Sequence, residues 1–401
     1  MIKIPLNKNT IGATEKRALN KVFDSGYMTM GKVTKKFEAA FSKHLGVKHA
    51  IYVNSGSSAN LLAFSAIQDN DKFRKFKSRN DFLKPNDEII VPAVTWSTSI
   101  WPISQTGAKS VFVDSEPDTL QMSVNSIKKA ISKKTKAICM VHVLGNGGYI
   151  EEVRDICNKK KIWLIEDTCE SLGVKKKNKY LGTFGDIGTY SFYFSHHITT
   201  VEGGMIVTNN DYLANKIYSL RSHGWTRDMF NAKEYEKQFP EIDPRFLFVN
   251  VGYNLRSTDM NASIGLVQLK KLEKFNNKRH EIGKTWNKAF SHLKKNELIQ
   301  PMEITKGTKA SWFGFPVICK TRKMRDDLRE HLERNGIETR PIICGNMTKQ
   351  PGIKNIKYRI SGKLSGADII MDRGIFWGSS PDMTKSEINF VIKIIKKFFN
   401  E

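Results

Sequence analysis

Three short motifs of this chain contain residues that could bind an anion, hold a cation and move a proton. The first, residues 54–60, reads Asn-Ser-Gly-Ser-Ser-Ala-Asn; it follows an apolar run and opens a helical pattern. Small residues let the backbone approach an anion, and a helix N-terminus presents unpaired N–H groups and a positive dipole. Ser55 and Ser57 could add hydroxyl donors. The motif is consistent with a phosphate site, although a serine that only caps the helix explains it equally well.

The second motif brings two carboxylates to the end of an apolar run. Residues 162–170 read Ile-Trp-Leu-Ile-Glu-Asp-Thr-Cys-Glu, so that Glu166 and Asp167 directly follow the apolar residues. A carboxylate at the end of a strand can hold a pyridine nitrogen protonated, which makes the ring an electron sink. Taken alone, however, this motif favours an aspartate that caps a following helix.

The third motif holds two adjacent histidines, His196 and His197, between an aromatic strand pattern and a Gly-Gly pair at 203–204. An unperturbed imidazole has a pKa near ~6.5, so it can take up and return a proton at neutral pH. The motif is a strand pattern, a polar turn that holds the two histidines, and a Gly-Gly pair before another strand. His223, in a Ser-His-Gly sequence, is a weaker candidate for the same pocket.

Short β-rich runs alternate with helical patterns from about residue 50 to residue 210. The predicted strands are 50–53, 88–94, 110–113, 137–143, 162–166, 189–194 and 205–208, and helices between them include 58–68 and 150–160. This alternation predicts an α/β fold with a mostly parallel, helix-covered sheet. Ligands of such sheets bind at the carboxyl ends of the strands, which is where the three motifs fall.

The chain beyond residue 260 predicts a second, smaller unit. A long helical pattern over 262–290 could bridge two domains. It is followed by strand patterns at 312–319 and 338–343, a charged helix at 323–335 and a final helix at 385–399. We expect a large domain over residues 1–270, with an N-terminal arm, and a smaller C-terminal α/β domain over residues 271–401. The basic and aromatic segment 71–84 is expected to be a surface loop.

The composition fits a globular protein and argues against several classes. Of the 401 residues, 40% are hydrophobic, and the first residues are too polar for a signal peptide. No run approaches the ~18 apolar residues of a membrane helix. The five cysteines form no CxxC pair and no Cys/His cluster, so zinc and iron–sulfur spacings are absent. We expect a cytoplasmic protein that binds neither a metal nor a membrane.

The formal net charge of +25 would suit a nucleic-acid binder or a protein that attracts phosphorylated substrates. The lysines, however, are spread along the whole chain, with only short clusters such as 159–161 and 175–177. This distribution favours a lysine-rich solvated surface over a nucleic-acid site. An electrostatic field that attracts nucleotide diphosphates would be a by-product of such a surface.

Residues 191–204, Ser-Phe-Tyr-Phe-Ser-His-His-Ile-Thr-Thr-Val-Glu-Gly-Gly, resemble the cofactor-lysine segment of the sugar-nucleotide aminotransferases, the DegT/StrS-type family. The resemblance covers nearly the whole chain. Its other motifs are the loop at 54–60, Glu-Asp at 166–167, Met-Thr-Met-Gly at 28–31, Val-Pro-Ala-Val-Thr-Trp at 91–96, Gly-Tyr-Asn-Leu-Arg-Ser-Thr-Asp-Met at 252–260 and Gly-Asn-Met-Thr-Lys-Gln-Pro at 345–351. The resemblance implies the aspartate-aminotransferase-like fold type I of transferases that depend on pyridoxal 5'-phosphate (PLP), with PLP or pyridoxamine 5'-phosphate (PMP) as cofactor.

One departure from the family pattern bears on the reaction. His196 stands where the family's aminotransferases carry the lysine that binds the cofactor covalently, and an imidazole cannot form that bond. The surrounding sequence is similar to the family's 3-dehydratases of GDP- or CDP-linked 4-keto-6-deoxy sugars. The CDP-sugar type carries an iron–sulfur cluster on a cysteine-rich stretch, whereas residues 227–248 here contain no cysteine. The resemblance therefore implies the GDP-sugar type without a cluster, although the nucleotide itself stays open.

The resemblance also implies a role for each site residue. His196 would be the base, with His197 as a bystander or an orienting neighbour. The implied cofactor-binding residues are Gly56, Ser57 and Ser191 at the phosphate, Trp96 stacked on the ring, Asp167 at the ring nitrogen, Glu170 at the ring hydroxyl, and Asn254 reaching the phosphate of the neighbouring subunit. Candidate substrate-binding residues are Met30, His223 and Arg256. A core tryptophan is the alternative for Trp96, and a surface ion pair is the alternative for Arg256.

The implied function is removal of the C3 hydroxyl from a nucleotide-linked 4-keto-6-deoxy sugar by a homodimer with shared active sites. Such a step belongs to deoxysugar biosynthesis for a lipopolysaccharide O-antigen or a capsule. L-Glutamate would regenerate PMP, and the products would be ammonia and a 3-deoxy-4-keto sugar. A nucleotide-sugar aminotransferase with an unusual base and a non-catalytic PLP-binding regulator stay open as alternatives. The presence of Asp167, Glu170 and the phosphate loop disfavours the regulator.

Overall fold

The computed structural model describes residues 3–70, 72, 78 and 80–400, so the loop predicted at 71–84 lies largely outside the described residues. In chain order the strands are β1 (His49–Val53), β2 (Glu88–Pro92), β3 (Lys109–Val113), β4 (Thr135–Val141), β5 (Trp163–Asp167), β6 (Lys175–Lys176), β7 (Lys179–Tyr180), β8 (Ile187–Ser191), β9 (Gly204–Thr208), β10 (Ile299–Pro301), β11 (Thr308–Lys309), β12 (Gly314–Cys319), β13 (Thr339–Arg340), β14 (Tyr358–Ile360) and β15 (Gly374–Gly378).

The α-helices are α1 (Ala13–Asp24), α2 (Lys32–Leu45), α3 (Gly56–Ala66), α4 (Trp101–Gln105), α5 (Val124–Ala130), α6 (Ile150–Lys160), α7 (Asp211–Arg221), α8 (Ala232–Gln238), α9 (Asp259–Ala289), α10 (Ser291–Lys295), α11 (Arg322–Arg334), α12 (Ser365–Arg373) and α13 (Lys385–Phe398). Short 3₁₀ helices are formed by Ser97–Ser99, Val143–Gly145, Pro244–Phe246, Met347–Lys349 and Pro351–Asn355. Across the described part of the chain, no helix combines the length and the apolar character that crossing a membrane requires.

The largest sheet has eight strands in the order β1-β9-β8-β5-β4-β2-β3-β14. Neighbours from β8 to β14 are parallel, whereas β9 runs antiparallel to both β1 and β8. All the strands predicted between residues 50 and 208 belong to this sheet, with ends within three residues of the predicted ones. The predicted α/β architecture with a mostly parallel sheet is confirmed.

The strands of this sheet are buried on both faces, as their apolar sequences require. Every residue of β1, β2, β5, β8 and β9 is buried. Successive side chains of a strand point to opposite faces, so Ile89 and Val91 join one core cluster while Ile90 joins another. Near-continuous apolar runs of this kind are typical of parallel strands with helices on both faces.

The topology brings the three sequence motifs to one edge of the sheet. Because β9 is antiparallel to both of its neighbours, β1 runs in the same direction as β8 and β5. The loop at 54–60 follows β1, Asp167 closes β5 and Ser191 closes β8. The carboxyl ends of these strands therefore form the candidate site.

The C-terminal part forms a second, antiparallel sheet ordered β10-β12-β15-β13. The strand predicted at 338–343 is wrong beyond Arg340: β13 ends there, because Pro341 has no N–H to donate to a partner strand. The long helix predicted at 262–290 is confirmed as α9, which has 31 residues and crosses position 270. β14 returns from the C-terminal part to pair with β3 at the edge of the large sheet.

Candidate active site

The phosphate-loop motif lies where β1 ends and α3 begins. Ser55 is the N-cap of α3, and its Oγ accepts a hydrogen bond from the Ser58 N–H at 3.0 Å. Gly56 packs against Ser191, so that a Cβ built on Gly56 would lie 2.6 Å from the Ser191 Cβ. Glycine is needed for this close approach. The Ser191 hydroxyl lies beside Gly56 at the N-terminus of α3, where first-turn N–H groups lack partners within the helix, so the arrangement can bind a phosphate.

Asp167 closes β5 with a carboxylate that is only 4% exposed. Its Oδ2 accepts hydrogen bonds from Asn60 Nδ2 at 2.8 Å and Ser99 Oγ at 2.7 Å, and its Oδ1 accepts one from the Cys169 N–H at 3.2 Å. A buried carboxylate whose hydrogen bonds among the described residues come only from neutral groups is suited to pair with a cationic ligand. Residues 168–174 form turns rather than a helix, so the helix-cap alternative for Asp167 is wrong.

The donors to Asp167 belong to a network that the sequence analysis missed. Asn60 Oδ1 accepts a hydrogen bond from Thr189 Oγ1 at 2.6 Å, and Ser99 Oγ accepts one from Thr95 Oγ1 at 3.0 Å. Asn60 and Ser99 lie 107 and 68 positions from Asp167 in the sequence, so no local pattern connects them. The one available signal was an asparagine within the apolar run of α3.

Glu166, the other carboxylate of the motif, serves a different purpose. It is fully buried and accepts hydrogen bonds from the N–H groups of Gly182 at 2.8 Å and Gly185 at 2.5 Å, and its Oε2 lies 3.1 Å from His142 Nε2. Adjacent strand residues point to opposite faces, so only Asp167 of this pair belongs to the site. Glu166 ties β5 to the loop that precedes β8.

Glu170 lies on the turn that follows β5. Its Oε2 accepts a hydrogen bond from the Leu144 N–H at 2.9 Å. Burial raises the pKa of Glu170 to about 7, against the lowering effect of that N–H and with a further rise from the charge of Asp167. A carboxyl group with this pKa is partly protonated at neutral pH, and in that form it can donate a hydrogen bond to a ligand oxygen.

β8 ends at Ser191 rather than at the predicted residue 194, because the chain turns back on itself. The Phe192 N–H donates to the Gly203 carbonyl, and the Thr200 N–H donates to the Phe192 carbonyl, both at 2.9 Å. These bonds close a compact loop beyond the carboxyl end of the sheet. His196 lies within that loop, as the sequence motif predicts.

The His196 imidazole packs between two aromatic rings, with centroid distances of 5.9 Å to Tyr193 and 5.1 Å to Phe313. Its Nδ1 is buried and has no hydrogen-bond partner among the described residues. Burial lowers the pKa of His196 to about 4, although the negative charge of Asp167 raises it; the positive charge of Arg279 lowers it further. The imidazole is therefore neutral at pH 7 and has a free nitrogen, which is the state that a general base requires.

His197 is 1% exposed and is already engaged. Its Nε2 donates a hydrogen bond to the Ser311 carbonyl at 2.9 Å, and burial lowers its pKa to about 3. His197 thus holds a neighbouring segment of the chain. Its role as a bystander to the chemistry stays a prediction.

Trp96 lies just before the 3₁₀ helix Ser97–Ser99, which carries a donor to Asp167. Its side chain is 57% exposed, so the core-tryptophan alternative is wrong. An exposed indole this close to the Asp167 network is available to stack on the ring of a ligand.

Asn254, Arg256 and His223 form a polar cluster. Arg256 Nε donates to Asn254 Oδ1 at 3.1 Å, and Arg256 Nη2 lies 3.2 Å from His223 Nε2. Among the described residues neither partner is a carboxylate, so the ion-pair alternative for Arg256 finds no support. The Leu255 carbonyl accepts a hydrogen bond from the Asn54 N–H at 3.0 Å, which places the cluster beside the start of the phosphate loop of its own chain.

Met30 belongs to a segment that is tied to the start of α9. Its carbonyl accepts a hydrogen bond from the Tyr27 hydroxyl at 3.4 Å, and the Gly31 N–H donates to Asp259 Oδ1 at 2.8 Å. No hydrogen bond in the described part of the chain joins Met30 to Asp167. Its contact with substrate stays a prediction.

Metal-binding geometry is not found in the part of the chain that the structure describes: no group of three or more His, Cys, Asp or Glu side chains could hold an ion there. None of the five cysteines forms a disulfide. The predicted absence of an iron–sulfur cluster continues to rest on the sequence.

Known proteins resemble this chain over almost its full length. It is 36% identical over 402 residues to GDP-4-keto-6-deoxy-D-mannose 3-dehydratase of Yersinia pseudotuberculosis, covering 99% of each chain. The structure of Escherichia coli GDP-4-keto-6-deoxy-D-mannose-3-dehydratase with bound hydrated PLP matches with a TM-score of 0.90 and 38% identity, over 99% of this chain and 100% of that one. A structure of GDP-4-keto-6-deoxymannose-3-dehydratase with a trapped PLP-glutamate geminal diamine matches with a TM-score of 0.89 and 37% identity, over 98% and 100%.

The sequence model of one family matches residues 9–396. The match covers all the strands of the structure and every predicted site residue, and the similar solved structures share the predicted PLP-dependent fold. The resemblance drawn from the sequence motifs is thus confirmed. The chain belongs to the DegT/DnrJ/EryC1/StrS aminotransferase family.

Proposed function

We propose that this chain is a PLP-dependent 3-dehydratase that removes the C3 hydroxyl of a nucleotide-linked 4-keto-6-deoxy sugar. The observation that carries the proposal is His196, an imidazole where the family's aminotransferases have a lysine. Its Nδ1 is buried without a hydrogen-bond partner among the described residues, and the charge of Asp167 acts on the pKa of the imidazole. The relatives that match over the full chain are named as 3-dehydratases of this kind.

The residues at the carboxyl edge of the sheet fit the cofactor. Asp167 is buried among neutral donors, and a protonated ring nitrogen would supply the positive charge it lacks. Gly56, Ser57 and Ser191 would bind the phosphate at the start of α3, and Trp96 would stack on the ring. When bound, the PMP form supplies an amine that condenses with the C4 ketone of the sugar and a ring that accepts electrons.

His196 performs the proton transfer in this proposal. With the cofactor bound, His196 would accept the proton that the C4′ carbon must lose, which would allow the C3 hydroxyl of the sugar to leave with the electrons of its C–O bond. A lysine at this place would carry the proton on to the sugar C4 and yield an amino sugar. With His196 the elimination prevails; hydrolysis then releases ammonia and the 3-deoxy-4-keto sugar. Glu170 would bind the ring hydroxyl.

GDP is the nucleotide that we propose, with L-glutamate as the donor that restores the amine. The similar dehydratases are named for a GDP-linked substrate, and one of them was trapped with glutamate on PLP. Arg256 and His223 would contact the diphosphate or the sugar, together with Met30. Their cluster beside Asn54 provides cationic and neutral donors next to the phosphate loop.

We further propose a homodimer in which Asn254 completes the phosphate site of the neighbouring subunit. Apolar side chains near Asn254 are unusually exposed in the single chain: Val251 is 92% and Tyr253 37% exposed. Phe23 and Tyr27, at the end of α1 and beyond it, are 61% and 58% exposed. Exposed apolar side chains in such numbers are typical of surfaces that another subunit covers.

The proposal also covers the domain boundary, the location of the protein and the absence of an iron–sulfur cluster. We propose a large domain over residues 1–270 and a small one over 271–401, with α9 shared across the boundary. Scattered cysteines that form no disulfide suit a cytoplasmic location. No iron–sulfur cluster takes part, because residues 227–248 contain no cysteine.

The test is incubation of the protein and PLP with GDP- or CDP-linked 4-keto-6-deoxy sugars and glutamate. A 3-deoxy-4-keto product in the mass spectrum, with one ammonia per turnover, is the expected result. A 4-amino sugar without ammonia would identify an aminotransferase instead. Binding of PLP without turnover of any of these sugars would favour the non-catalytic regulator.

A further inference from the structure

α9 carries a buried arginine, Arg279, that none of the roles above uses. It is 1% exposed, and its Nη1 donates to the carbonyls of Trp312 at 3.3 Å, Phe313 at 3.2 Å and Ser379 at 3.1 Å. Within the described ranges, its hydrogen bonds go to no carboxylate, and its Nε has no partner. The charge of Asp382 acts on Arg279 without a hydrogen bond, and burial lowers the pKa of the guanidinium to about 10. Burying a guanidinium without a hydrogen-bonded carboxylate is costly, which argues for a purpose other than stability.

The segment 311–313 that Arg279 holds lies against both histidines of the candidate site. The Ser311 carbonyl accepts the hydrogen bond of His197 Nε2 at 2.9 Å. The Phe313 ring lies 5.1 Å from the His196 ring at an angle of 73°. The position of the His196 imidazole therefore depends on where this segment is fixed.

The same segment is joined to the turn that binds Glu170. The Ser311 N–H donates to the Gly145 carbonyl at 2.9 Å, and the Phe313 N–H donates to the Leu144 carbonyl at 3.0 Å. A Cβ on Gly145, whose φ is +87°, would lie 1.8 Å from the Ser311 carbonyl oxygen, so only glycine permits this pairing. The segment thus connects the two sides of the site.

α9 is shaped to receive this segment. A Cβ on Gly283, one turn beyond Arg279, would lie 2.3 Å from Trp312 Cδ1, so the absence of a side chain makes room for the indole. Ser379 Oγ also donates to the Trp312 carbonyl at 2.6 Å. Trp312 is buried, and the hydrogen bonds from Arg279 to this segment go to the main-chain oxygens of Trp312 and Phe313.

We propose that Arg279 is a positioning residue: it fixes the segment 311–313, and through the Phe313 ring it holds the His196 imidazole in place, while the Ser311 carbonyl of the same segment holds the adjacent His197. The inference rests on the proposed function, because it gives His196 the role of base. Arg279 also has an electrostatic effect. Asp167 and Arg279 are the charged groups that act on His196; Arg279 favours its neutral form, in the same direction as burial.

The test compares Arg279→Met, Arg279→Lys and a control, Lys274→Met, which removes an exposed charge from the same helix. The pKa of His196 is measured by NMR in the cofactor-free protein, with His196→Asn to assign its signal. We expect the pKa to rise by about one unit in Arg279→Met and to stay near the wild-type value in the other two. The elimination rate should fall about tenfold or more in Arg279→Met and be largely restored in Arg279→Lys.

An unchanged His196 pKa and rate in folded Arg279→Met would overturn the inference. If that variant does not fold, Phe313→Leu decides, since it removes the ring against His196 and leaves Arg279 intact. Phe313→Leu should raise the His196 pKa and slow the elimination, and wild-type values for both would overturn the inference. The NMR titration needs no sugar, so it stands even if the proposed dehydration is not observed.

Discussion

Gly56, the first residue of α3, and Ser191, the last residue of β8, lie so close together that a Cβ on Gly56 would be 2.6 Å from the Ser191 Cβ. Gly56→Ala must therefore push α3 away from the end of β8 and distort the phosphate site. We expect the dissociation constant for PLP to rise tenfold or more while the fold is retained. Gly352→Ala is the matched control, because its Cβ would meet nothing closer than 3.5 Å. Equal PLP affinity in both variants, measured by absorbance titration, would argue against this phosphate site.

Ser99 supplies one of the two hydrogen bonds to Asp167 Oδ2. A hydrogen bond to a charged group is worth about 1.5–3 kcal/mol, so Ser99→Ala should weaken the support of the Asp167 carboxylate by about that amount. Without the Ser99 hydrogen bond the carboxylate is positioned less firmly at the ring nitrogen, and we expect kcat to fall about tenfold with little change in KM. Ser104→Ala on α4 serves as the control. A wild-type kcat for Ser99→Ala would show that this network does not tune Asp167.

The raised pKa of Glu170 predicts that the stability of the cofactor-free protein depends on pH. Burial raises its pKa from 4.5 to about 7, so the folded chain favours the protonated form. Its contribution to stability is fully present below pH 4.5 and is lost as the pH rises through about 7. Glu170→Gln removes this titration. The Tm of Glu170→Gln minus that of the wild type should therefore increase between pH 5 and pH 8, and a constant difference would contradict the assignment.

Subunit mixing tests whether Asn254 acts across a dimer interface. His196→Asn and Asn254→Asp should each be impaired, the second because a carboxylate repels the phosphate. If Asn254 serves the neighbouring subunit, each mixed dimer contains one site with both native residues, and activity should recover to about a quarter of the wild-type rate. If Asn254 serves its own chain, mixing restores nothing. Sedimentation of the wild type should show a dimer at assay concentration.

The sequence predicted the sheet well because apolar runs and turn residues are local signals. It also predicted that the three motifs would meet, since strand ends of a parallel sheet share one edge. The Glu-Asp motif alone could not separate Asp167 from Glu166, which depends on the pleat of β5; only the family resemblance assigned Asp167 to the site. The sequence could not reveal Ser99, because buried polar partners are set by packing between distant segments. The contact between Phe313 and His196 depends on how the C-terminal part packs against the loop of His196, and no local sequence pattern around either residue indicates it.

His196 is the residue on which the whole account depends. A positioned base contributes about 10²–10⁴-fold to proton transfer, and His196→Asn keeps approximate size and polarity without taking up a proton. The variant should still bind the cofactor, because Asp167, Ser191 and the phosphate loop are untouched. His197→Asn is the matched control for an adjacent imidazole.

The most direct measurement is the rate of 3-deoxy-4-keto sugar formation by His196→Asn and His197→Asn, followed by mass spectrometry with saturating PLP and glutamate. We predict that His196→Asn binds the keto sugar but that its elimination rate falls at least about a hundredfold, while His197→Asn continues to form the product. If His196→Asn dehydrates the sugar at nearly the wild-type rate and His197→Asn is inactive, the base is His197 and not His196. Wild-type dehydration by both variants would contradict the claim that a histidine is the base.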